Sequence, residues 1–121
     1  MPIELLVKGK KADIYAYLKE NGESHVVDFI EHLNVSEQKK ITRHLEFFAE
    51  RGELRNREKF RVEEKPIYAF KSFQVRILCF FLPNAVKRSI VLTHGLKKQQ
   101  DAMSRSELDK ANRIYKEITE V

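Results

Sequence analysis

The chain has 121 residues, 42% hydrophobic and 34% charged, with a formal net charge of +5; that length fits one domain able to bury roughly two-thirds of its unfolded surface without metal or disulfide staples. The single cysteine, Cys79, cannot close an internal bridge, and four separated histidines beside it make no zinc pattern, which argues against a secreted disulfide scaffold and a structural metal domain. The longest apolar run, Ile77 to Leu82, is too short for a bilayer, and the start Met1-Pro2-Ile3-Glu4 lacks a basic-then-apolar leader, so a cytoplasmic protein with no membrane partner is expected.

In chain order, residues 3–7 and 12–18 can pair as strands around Lys8-Gly9-Lys10-Lys11, although Asp13 to Asn21 with Gly22 behind it also reads as a helix with a C-cap. Ser24 can cap a short helix with Val27, Ile30 and Leu33 on one face. Ser36 can cap a longer one carrying Ile41, Leu45, Phe48 and Ala49 and ended by Gly52. The short joint at Asn34-Val35 makes these two a helical hairpin. A charged stretch follows from Glu53 to Glu64. Strands rich in Ile, Val, Phe and Tyr are then expected at Ile67 to Lys71, Phe73 to Leu82 and Lys87 to His94, the last two joined across Pro83-Asn84. A final helix starts at Ser104, which stands three residues before Glu107 as in a capping box, and its apolar stripe is Leu108, Ala111, Tyr115 and Ile118.

The pattern predicts one α+β domain over residues 1–121: a small antiparallel sheet, a helical hairpin packed on one face and a C-terminal helix, with residues 1–11 as a possible added strand. The second face of the sheet is open to remain free.

The excess positive charge is local. From Lys65 to Gln100 there are seven bases and no Asp or Glu, whereas the other 85 residues carry 16 bases and 18 acids. Tyr68, Phe70, Phe73, Phe80 and Phe81 share that window, and bases interleaved with rings suit a polyanion that also offers faces to stack on. Gly-rich phosphate loops, nucleophile elbows, H-E-x-x-H and acidic metal clusters are missing, which removes most enzyme classes. RNA cleavage without metal or cofactor remains possible, because the ribose 2′-hydroxyl is its own nucleophile and the protein need only move protons and offset phosphate charge. Arg76, Lys71, Lys97, Lys98 and His94 are the available set. Arg76 is the sharpest of them, since a charge inside an apolar strand must reach either an acidic partner or a solvent-facing surface.

The run Asn21-Gly22-Glu23-Ser24-His25-Val26-Val27-Asp28-Phe29-Ile30, then Ile67-Tyr68-Ala69-Phe70-Lys71, Val75-Arg76-Ile77-Leu78-Cys79-Phe80-Phe81 and Leu92-Thr93-His94-Gly95-Leu96-Lys97-Lys98, resembles the phage-derived HigB-like toxins of the RelE/ParE superfamily over about residues 12–119. The resemblance implies a ribosome-dependent mRNA endonuclease restrained by a cognate helix-turn-helix antitoxin, so that DNA is met only indirectly through that partner. It also implies catalytic roles for Arg76, Lys71, Lys97 and Lys98; beside them Tyr68, His94, Phe73, Lys87 and Arg88, from the same basic and aromatic window, are expected to bind RNA or line the site. Where the family often has a glutamate and an arginine in the tyrosine strand, this chain has Ala69 and Lys71. Two competing readings are a ParE-like gyrase inhibitor and a winged-helix-like DNA-binding module. The second is thin on charge: Glu37 to Arg51 carries a net of only +1.

Overall fold

The computed structural model describes residues 2–98 and 102–120. Strands β1 (Ile3–Lys8) and β2 (Ala12–Tyr17) are followed by helices α1 (His25–Glu31) and α2 (Val35–Arg51). Strands β3 (Phe60–Glu64), β4 (Ile67–Ser72), β5 (Val75–Phe81) and β6 (Arg88–Lys97) come next, and helix α3 (Arg105–Thr119) closes the chain. The six strands form one sheet in the order β1-β2-β6-β5-β4-β3. It is a mixed sheet, not the antiparallel one expected: β2 runs parallel to β6, with Ile14 opposite Ile90, while the other ladders are antiparallel. A parallel pair needs a long crossover, and the two helices together with the β3-β4-β5 meander provide it.

The strand reading of residues 12–18 prevails over the helical one because β2 alternates buried and half-buried positions, with Ala12, Ile14 and Ala16 turned into the core. Ser24 caps α1, accepting from the Val27 amide. The cap of α2 is Asn34 and not Ser36: the Asn34 side chain accepts from the Glu37 amide while Glu37 reaches back to the Asn34 amide. Gly52 ends α2 in the left-handed region at φ 79°, where glycine is the unstrained choice.

Helices α1 and α2 lie on one face, where Val26, Ile41, Leu45 and Phe48 meet Ile14, Phe70, Ile77, Cys79 and Leu92. Phe48 packs on Phe60 and, edge-on, on Phe70, with ring centroids 5.2 and 5.7 Å apart. The other face is covered as well, contrary to the open alternative, because Leu108, Ala111, Ile114 and Ile118 of α3 seat on Ile67, Ala69, Leu78, Phe80 and Val91. This double covering explains why β5 is buried along almost its whole length instead of alternating.

Three further boundaries differ from the sequence reading. The charged stretch contains strand β3, an edge strand of the sheet. The strand expected from Phe73 begins at Val75, leaving Phe73 in the turn, and β6 runs on past His94 to Lys97. At Ser104 half of the expected capping box forms: Ser104 accepts from the Glu107 amide, but the Glu107 carboxylate is turned to His94. Among the described residues no helix is long and apolar enough to cross a membrane.

Candidate functional site

Ser72 and Val75 are paired, so the β4–β5 hairpin closes through only Phe73 and Gln74. One step further into the ladder Lys71 and Arg76 are Cα partners. Both are nearly buried, Lys71 at 8% and Arg76 at 5% exposure. A cation so placed must find oxygen to offset its lost hydration, and Arg76 turns back on its own turn, where Nη1 donates to the carbonyls of Phe73 and Val75, the latter at 3.0 Å.

This hairpin end forms one wall of a cleft of about 670 Å³. Helix α2 contributes Lys40 and His44, four residues apart and therefore on one face. The loop before β3 contributes Asn56, Arg57, Glu58 and Lys59, and β3 itself Arg61. Asn56 organises that loop: its side chain accepts from the Glu58 amide at 2.9 Å, and its carbonyl accepts from the amides of Lys59 and Phe60. The Lys59 carbonyl then accepts from the Lys71 amide at 2.8 Å, which ties the loop to β4. Lys71, Ser72, Phe73 and Arg76 complete the lining.

Among the described residues, six cationic side chains therefore face the cleft against one carboxylate, Glu58. Arg61 is partly offset by Glu63, 3.2 Å away. A concave surface lined by one sign of charge focuses potential and draws polyanions. His44 differs in kind from its neighbours. Burial, and secondarily the Lys59 ammonium, holds its imidazole below the usual range, so it is neutral at pH 7 and able to accept a proton. The chemistry on offer is three forked guanidinium groups, three point-charge ammonium groups and one neutral base within a single anion-binding cleft.

The structure thus brings Lys71, Phe73 and Arg76 together and disperses the other candidates. Lys97 lies at the same end of the sheet, opposite Val75, but its ammonium is 3.1 Å from Glu37 of α2 and does not line the cleft. Lys98 follows β6, its amide donating to the Gln74 carbonyl at 2.9 Å. Tyr68 stacks on Phe60, with centroids 5.5 Å apart, and meets Phe81 edge-on, as part of the aromatic core under α2. His94 is sealed beneath α3 at 3% exposure, with Nε2 donating to Glu107 at 3.2 Å, and burial pushes its pKa down to about 4. Lys87 and Arg88 stand at the opposite end of the sheet. Lys87 binds Asp13 at 2.8 Å, and the Arg88 guanidinium lies over the Phe81 ring.

Five basic residues of the cleft escaped the sequence reading: Lys40, His44, Arg57, Lys59 and Arg61. A signal was present for three of them. Arg57, Lys59 and Arg61 alternate through the charged stretch, the period of an extended segment with one basic face.

Residues 28–116 match the family model described as phage derived protein Gp49-like (DUF891). The chain belongs to that family. The Gp49-like segment runs from within α1 to within α3, so it holds every residue lining the cleft and leaves β1 and β2 outside. No curated protein matches the chain.

Proposed function

We propose that this Gp49-like chain is the toxin of a type II toxin–antitoxin pair and cleaves mRNA on the ribosome, with a helix-turn-helix antitoxin as its cognate partner. The observation that carries the reading is the cleft in which Lys71 and Arg76 sit side by side among six cations, next to a neutral His44. RNA supplies its own nucleophile. His44 takes the proton of a ribose 2′-hydroxyl, whose oxygen attacks the adjacent phosphorus as the phosphorus–5′-oxygen bond breaks, and the 5′-oxygen takes a proton from solvent water, giving a cyclic phosphate and a 5′-hydroxyl end. Arg76 and Lys71 offset the charge that accumulates on the phosphate oxygens in the transition state. Lys97 and Lys98 stand at the same end of the sheet, but the Lys97 ammonium is held by Glu37 and adds little to the field there.

The test is primer extension on cellular mRNA after the chain is induced without antitoxin. Cuts at defined positions on translated messages are expected, and Arg76→Ala or His44→Gln chains that still fold are expected to lose them. Intact mRNA with broken DNA would instead select a gyrase-inhibiting toxin. The winged-helix reading is the weaker one because the cationic cleft is built mainly by the β4–β5 hairpin end and the segment around β3, while α2 supplies only Lys40 and His44 to it.

A further inference from the structure

In a two-residue hairpin the first loop position, when it takes a positive φ, normally belongs to glycine. Here it is Phe73, at φ 54°. A bulky side chain in that region is uncommon, and strain of this kind concentrates at functional sites. Packing does not account for it, because Phe73 is 78% exposed while the core beneath is built from Phe48, Phe70 and Phe80. The turn is braced from below by the Arg76 guanidinium, which donates to the Phe73 carbonyl. One face of the ring is covered by the Lys40 ammonium, 4.2 Å from the centroid, and the ring stands on the wall of the six-cation cleft.

We propose that Phe73 is a stacking platform for an unpaired nucleobase, presented at the rim of the cleft so that one base of a single-stranded nucleic acid lies on the open face of the ring while its phosphates enter among the cations. The inference deepens the mRNA-cleaving reading and rests on it for the choice of strand. The chemistry is that of sequence-tolerant single-strand binding: rings take bases, and a positive groove takes the backbone. A duplex does not fit, because its bases are already stacked on one another.

The experiment measures binding of two labelled probes by fluorescence anisotropy. The first is a short single-stranded 2′-O-methyl oligoribonucleotide, which the proposed reaction cannot cleave; the second is an abasic strand of the same length. Wild type is expected to prefer the base-bearing strand. Phe73→Ala should weaken that strand by roughly 5- to 150-fold, the range for losing one base–aromatic stack, and leave the abasic strand unchanged, while Phe73→Tyr and Phe73→Trp restore the preference. Equal binding of the two probes by wild type overturns the proposal. So does a Phe73→Ala chain, shown folded by circular dichroism, that loses both probes equally or neither. Because no probe is cut, these results are independent of whether messages are cleaved in cells, and the two readings fail separately.

Discussion

Lys71 and Arg76 face each other across the β4–β5 ladder, and the two-residue loop that closes this ladder places Phe73 on the wall of the same cleft. A single hairpin end therefore delivers a point charge, a forked charge and an exposed ring, and opposite them α2, the loop before β3 and β3 itself add four more cations and a neutral imidazole.

If the cleft holds a nucleic-acid backbone, removing one exposed cation should alter salt dependence more than stability. Lys59→Ala is expected to shift folding stability by less than about 0.5 kcal/mol, as for an ordinary surface change. The slope of log affinity against log salt for a single strand should become shallower by about 0.7, the value for one phosphate contact. Titrations of the uncleavable oligonucleotide at several salt concentrations measure this, and an unchanged slope would remove Lys59 from the contact surface.

At most positions glycine is less stable than alanine, because it has more freedom to lose on folding. Position 73 should invert that order. Alanine retains the penalty of φ 54° and glycine does not, so Phe73→Gly is expected to be more stable than Phe73→Ala by about 1 kcal/mol. Urea midpoints of the two variants decide the matter; the usual order would mean that the turn relaxes and holds no strain.

His94 makes a pH prediction of definite sign. Burial lowers its pKa from an ordinary 6.5 to about 4, against the opposing pull of Glu107. Between these values the unfolded chain binds a proton that the native chain refuses, so stability is fully present above pH 6.5 and falls as pH drops towards 4. The whole effect is on the order of 3 kcal/mol, at about 1.4 kcal/mol per pKa unit. His94→Gln should flatten the pH dependence across this window relative to wild type. His25 and His44 are also lowered but remain in both proteins, so the difference reports His94 together with its electrostatic links to Glu107 and His25, and parallel curves would contradict the assignment.

Gly9 lies against the backbone of α2: a Cβ there would come within 2.2 Å of the Ala49 carbonyl oxygen. That oxygen already accepts from the Lys11 amide at 3.0 Å. Helix backbone cannot give way as a side-chain tip can, so Gly9→Ala should cost about 3 kcal/mol, the upper end for overpacking. A thermal midpoint equal to that of wild type would show that the β1–β2 turn moves freely from α2.

Much of the local structure was legible in the order of residues. The apolar periods of α2 and α3, the β-branched and aromatic runs of β4 to β6, Ser24 and Ser104 as caps and Gly52 as a stop all act within a few residues, where propensity and capping decide. The first misreading was also local: Asn34 and Ser36 both offer a capping oxygen, and Asn34 wins because Glu37 stands three residues on and can complete the box. Strand β3 was obscured because Phe60–Glu64 is mostly charged, and an edge strand needs only one face buried.

The sequence by itself determined that an acid-free window would carry Lys71, Phe73 and Arg76, and that Arg76, a charge within an apolar strand, required compensation. Only the tertiary structure decided what provided it, since the carbonyls of Phe73 and Val75 come within reach of the guanidinium through the folding of the turn. The remaining wall of the cleft, from Lys40 and His44 to Arg61, and the removal of His94 beneath α3 were likewise settled by packing. The physical reason is the range of the forces involved. Caps and periods are written between near neighbours, whereas the field inside a cleft sums over charges from distant segments, and which of them meet depends on how both faces of the sheet bury their apolar area.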